Sequence, residues 1–195
     1  MTGLPIQPID EELQTLQREV QRMLGRCLLR LQQYEQLMKA IVAHHEISAS
    51  GSPLESNEAE RIADAANKTL GTLVGTLLGT YVTSGDQDEV AEPDAPDNII
   101  SFKMKMSLRM SAEDFDTTQN DLKELVLLRN NLVHHFIDQH DLWSLDGCRG
   151  AQESLVAAYS RVDQHFEQLR GWAEHMDQAR RLAADFAQSD AFRDL

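Results

Sequence analysis

The chain is short of cysteine, aromatics, proline and positive charge, and each shortage narrows what it can be. Two cysteines in 195 residues, Cys27 and Cys148, cannot make a disulfide scaffold and fit a reducing compartment. Aromatics at 6% and only five prolines suit helices better than a β-sandwich. Against 32 acids stand 18 bases, a net charge of −14, where a sequence-indifferent DNA coater carries the opposite sign. No apolar run approaches the roughly 18 residues a membrane span needs. The opening Met1-Thr-Gly-Leu-Pro lacks the charged and apolar blocks of a signal peptide. The expectation is a soluble, cytoplasmic protein with no membrane contact. With 42% hydrophobic residues, a chain of this length can bury the core of one ordinary domain unaided.

Hydrophobic period sets the elements. Leu13, Leu16, Val20, Leu24, Cys27, Leu31, Tyr34, Met38 and Ile41 alternate by three and four, which predicts one helix over 10–46. Ser48 to Pro53 reads as a loop. A second helix is predicted over 57–79, with Gly71, Gly75 and Gly79 forming a small-residue row that allows close approach of another helix. Residues 84–97 are acidic without a base, the composition of a solvated loop. Over 99–110 the period changes to two: Phe102, Met104, Met106, Leu108 and Met110 alternate with polar residues. Paired with 79–83, this run makes a hairpin arm. Ser111 and Asp114 have capping-box spacing and open a helix over 111–140; a last helix follows over 150–187. The expected fold is therefore all-α, a four-to-five-helix bundle with a small β-hairpin insertion, in one domain over 1–195.

One run carries chemistry: Arg129-Asn-Asn-Leu-Val-His134, followed by His135. Arginine keeps its charge and forks donors toward phosphate oxygens, while histidine takes and gives protons near neutrality. The pair suits metal-free cleavage of a phosphodiester. An arginine and a histidine five apart also arise on many helices by chance.

This run resembles the R-x(4–6)-H signature of HEPN domains, with a polar residue directly after the arginine and a place on a late helix. The segments Leu125–Phe136, Asp141–Cys148 and Gln168–Met176 further resemble a bacterial subgroup in which the HEPN-like region precedes an OST-HTH/LOTUS RNA-binding domain. The resemblance covers nearly the whole chain. It implies a homodimeric, metal-independent endoribonuclease needing no cofactor. His134 would be the general acid/base, and Arg129 would stabilise charge on phosphorus. Asn130, Asn131 and His135 would support them. A C-terminal RNA-binding domain or an antitoxin-like protein is the further partner it implies.

Geometry speaks to the same residues. Five positions on a straight α-helix turn Arg129 and His134 about 140° apart. One helix does not aim both at one phosphate unless it distorts, and a two-fold mate would supply the missing group. RNA also needs local bases. Arg18, Arg22, Arg26 and Arg30 form a row on the first helix, and Lys103, Lys105 and Arg109 share one face of the strand run. Salt bridges are the more economical reading of the first row, and protection against edge-to-edge pairing of the second.

Two rival classes remain. Seven histidines invite a metal enzyme, but no Glu-x-x-His, H-E-x-x-H or paired cysteines occur, so no metal is expected. Neither cysteine has a neighbouring base, and Trp143 and Trp172 read as packing anchors rather than stacking platforms. The alternative to an enzyme is a dimerising or RNA-binding adaptor, in which Arg129 and His134 form a polar cluster at the seam.

Overall fold

A computed structural model describes residues 8–50, 54–85 and 101–188. Of the expected acidic loop, 86–97 lies outside the described residues, as do 99–100 of the expected arm. The fold is all-α, a helical bundle with small β additions. The helices are α1 (Pro8–His44), α2 (Leu54–Ala66), α3 (Leu70–Thr80), α4 (Ala112–Asn130), α5 (Phe136–Gln139) and α6 (Leu145–Gln188). A π-helical turn, Asn131–His135, joins α4 to α5.

The chain divides into two compact units, and α1, α4 and α6 each contribute to both. The first unit comprises Met1–Tyr34 and Glu124–Phe166. Its buried side chains include Val20, Cys27, Leu31 and Tyr34 of α1, Leu125, Leu132 and Phe136 around the π turn, and Leu155 and Val162 of α6. These positions repeat by three and four along each helix, so each helix turns a continuous apolar stripe inward. Arg26 lies over the Tyr159 ring at 4.9 Å and Arg30 over the Phe166 ring at 3.8 Å, tying α1 to α6 at the border of that stripe.

The second unit comprises Glu35–Lys123 and Glu167–Leu195. Its core holds Met38, Ile41, Leu70, Leu73, Leu77, Tyr81, Leu122, Leu169 and Trp172. The helix expected over 57–79 is broken in two. Thr69 caps α3, its side chain accepting from the Thr72 amide, because Asn67 and Thr69 offer local hydrogen bonds that compete with a continuing helix. Gly71, Gly75 and Gly79 lie on the solvent side of α3, and a Cβ at Gly75 or Gly79 meets nothing within 4 Å. Within the described residues, the row receives no close helix.

The hairpin arm is replaced by two separate ladders. Strand β1 (Glu46–Ser50) pairs antiparallel with β3 (Ser101–Lys105), and β2 (Val82–Ser84) pairs parallel with β4 (Leu108–Met110). The period-two run is interrupted at Met106 and Ser107. There the Met106 amide donates to the His45 carbonyl at 2.8 Å, and the Leu108 amide to the Tyr81 carbonyl at 2.7 Å. A three-residue β2 cannot satisfy ten residues of strand, so the first half of the run takes β1 instead. That partner is the serine-containing segment whose composition reads as a loop; pairing overrides composition there.

Candidate functional site

The α4 helix begins as its sequence requires. The Ser111 Oγ accepts from the Asp114 amide at 3.1 Å and donates to the Asp114 carboxylate at 2.7 Å. Its buried stripe runs Leu122, Leu125, Leu132 and Phe136, and Arg129 stands on the same three-and-four spacing, half-buried between Leu125 and Leu132. A permanent charge on a core-facing position needs a nearby polar group. The backbone supplies one by changing form.

Over Asn131–His135 the hydrogen bonding widens to i→i+5. Asn130 and Asn131 are poor helix formers, and the branched Val133 crowds an α-turn, so this stretch resists a wider turn less than the leucine-rich part before it. Leu132 and Phe136 stay buried on either side of the widened turn. His135, at φ −126° and ψ 0°, marks the return to α geometry. The consequence is that residues five apart come together. The Arg129 Nη1 lies 3.4 Å from the His134 Nε2 and donates to the Asn130 Oδ1 at 3.3 Å.

Guanidinium groups only donate, so the contact assigns His134 Nε2 as the acceptor and puts the ring proton on Nδ1. His134 and His135 are both exposed. Their rings meet edge-on, with centroids 6.2 Å apart, and the His135 Nδ1 stands 3.9 Å from the Asp138 carboxylate. Asn131 is exposed beside them. The straight-helix argument for a second copy therefore fails in its premise: one chain already joins its own arginine and histidine.

The other candidate bases are placed differently. On α1, Arg22 pairs with Glu19 at 2.6 Å, and the Arg30 Nε donates to Asp163 at 2.7 Å. Arg26 covers a tyrosine ring, and Arg18 is exposed. Lys103 and Lys105 belong to β3 but Arg109 to β4, so the three do not share one strand face. Lys105 and Arg109 are exposed, and the side chain of Lys103 lies outside the described ones. All three bases sit in the second unit, whereas the Arg129–His134 pair and the α1 row sit in the first.

Both cysteines are buried, and desolvation pushes each thiol above its ordinary range. The Cys27 Sγ donates to the Leu155 carbonyl at 3.5 Å and the Cys148 Sγ to the Leu142 carbonyl at 3.4 Å, so neither is poised as a nucleophile. Among the described residues, no three histidine, cysteine or carboxylate side chains are grouped to hold a metal ion. Nor is any helix there long and apolar enough to cross a membrane.

One expectation reverses outright. Trp172 is buried as an anchor, but Trp143 is 83% exposed. Its two neighbours in sequence gave no warning, because which way an indole turns at a loop depends on the backbone holding it. Comparison with family models, with curated proteins and with solved structures returns no match.

Proposed function

We propose that the chain is a metal-independent endoribonuclease of HEPN type, with Arg129 and His134 as its catalytic pair. The observation that carries this reading is the π turn, which sets the guanidinium against an exposed imidazole nitrogen at 3.4 Å. Defects of this kind in otherwise regular helices are frequent at functional sites. When substrate binds, the Arg129 guanidinium turns from the His134 Nε2 to the phosphate, the freed Nε2 takes the proton from a ribose 2′-hydroxyl, and the 2′-oxygen attacks the adjacent phosphorus. Arg129 holds the non-bridging oxygens as negative charge builds on them. The bond from phosphorus to the 5′-oxygen breaks, and that oxygen receives the proton back from the imidazolium. The products are a 2′,3′-cyclic phosphate and a 5′-hydroxyl, with no water consumed. Asn130 orients the guanidinium, and in this reading the exposed Asn131 and His135 hold the substrate. Arg18 on α1, in the same unit as the pair, is an exposed cation of the kind that attracts RNA phosphates.

The same reading includes a homodimer, in which a second copy covers the exposed apolar side chains of Leu127 on α4 and Val133 in the turn. Incubation of the purified chain with RNA in excess EDTA tests the reading. Cleavage leaving cyclic phosphate ends, absent on DNA and lost in His134→Ala, is the expected result. Uncleaved RNA, or cleavage untouched by that substitution, overturns it. One observation favours the adaptor alternative: Arg22 and Arg30 are engaged by carboxylates, which thins the positive surface available to a nucleic acid.

A further inference from the structure

We infer that the cleft beside α5 is a nucleobase subsite that prefers guanine, with Trp143 as its stacking platform; this rests on the ribonuclease reading for its substrate. The cleft holds about 550 Å³, the size of a small-molecule site, and opens three residues beyond His134. It is bounded by Ile137, Asp138, Gln139 and His140, by Trp143, and by Gln21 of α1.

Trp143 is displayed by a tightly held loop. The Trp143 amide donates to the Asp141 Oδ1 at 3.1 Å, and the Gln17 Nε2 donates to the Leu142 carbonyl at 2.8 Å. The Ser144 carbonyl accepts from the Cys148 amide at 3.0 Å, and its Oγ accepts from the Gly147 amide at 3.1 Å. Gly147 approaches so closely that a Cβ there would lie 1.9 Å from the Asp141 carbonyl oxygen. An indole left in water on so constrained a backbone is prepared to receive a flat ring, since little order remains to be imposed on binding. Ile137, itself 74% exposed, adds a second apolar wall.

Charge then selects the ring. The lining contains carboxylates at Asp138 and Asp141 and no lysine or arginine, so it repels phosphate and accepts N–H donors. One Asp141 oxygen already accepts from the Trp143 amide. Asp138, exposed and 3.9 Å from the His135 imidazole, is the group left to read a base edge. Guanine offers two adjacent N–H donors, matched to the two oxygens of one carboxylate. Uracil offers a single N–H flanked by carbonyls that a carboxylate repels.

Indole emission of the whole chain, titrated with guanosine monophosphate, uridine monophosphate and inorganic phosphate, tests the subsite. Saturable quenching by the guanine nucleotide is expected, with binding of the uracil nucleotide weaker by about tenfold, the worth of one hydrogen bond. Phosphate alone should change nothing. Trp143→Phe should abolish the nucleotide response while its thermal midpoint stays put, and Asp138→Asn should level the two nucleotides but keep the quenching. Absence of any nucleotide response from a chain that still cuts RNA through His134 overturns the subsite and leaves the nuclease standing. Guanine quenching of a chain that cuts no RNA does the reverse. Emission that follows protein concentration and ignores nucleotide makes Trp143 part of a seam between copies, and overturns the subsite too.

Discussion

The arginine row of α1 and the turn after α4 use the same side chain to opposite ends. On α1 the spacing is four throughout, in phase with the helix, and the guanidinium groups at 22, 26 and 30 meet Glu19, the Tyr159 ring and Asp163. Around Arg129 the spacing to His134 is five, out of phase with any α-helix, and the backbone widens to bring the two together. Regular spacing on a regular helix binds the scaffold to itself. The Arg129–His134 contact forms where the helix departs from regularity, and His134 stays open to solvent.

The contrast is broken most sharply by paired substitutions. His134→Ala should lower RNA cleavage by about 10² to 10⁴-fold, the usual contribution of a general acid/base. Arg22→Ala, on an exposed ion pair, should leave cleavage and thermal midpoint nearly unchanged, a stability difference of about 0.5 kcal/mol or less. Equal rates for the two variants would erase the distinction.

Glycines sharpen it next. Gly147→Ala forces a Cβ against backbone, with no flexible neighbour to give way, and should cost about 2 to 4 kcal/mol by denaturant unfolding. Gly75→Ala fills open space on a helix surface and should stabilise by about 0.5 to 1 kcal/mol. Removing Val133 then examines the turn itself. The deletion brings arginine and histidine to a spacing of four, which a plain α-helix places on one face. A regular helix should form, and cleavage should persist within about tenfold if the pairing matters rather than the form of the turn.

The smallest expected effect lies in the second unit. His45 is buried, its Nδ1 donates to the Val42 carbonyl at 2.8 Å, and desolvation lowers its pKa below the ordinary 6.5. The folded form therefore binds the proton less readily than the unfolded chain. Stability from this group is whole above pH 6.5 and falls as pH drops from there to the folded pKa. Urea midpoints should decline over that window in the parent chain and decline less in His45→Gln.

Much of this was written in local pattern. The three-and-four spacing of Leu122, Leu125, Leu132 and Phe136 announces a helix with one buried side, and Ser111 with Asp114 announces where it starts. The candidate pair was also legible, because Arg129 interrupts an apolar stripe with a charge. Their meeting was not, since periodicity assumes a constant turn and a π segment violates that assumption. Strand partners were equally hidden: alternation in 101–110 marks strand, but says nothing of whether β1 or β2 receives it.

The sequence alone thus determined the helical class, the inward faces and the candidate pair, because these follow from side-chain period and from caps within a few residues. Tertiary structure decided the division of one strand run between two ladders, the joining of Arg129 to His134 and the outward turn of Trp143. Each of these trades a local preference against burial or hydrogen bonding supplied from far along the chain, and that balance exists only once the chain has folded.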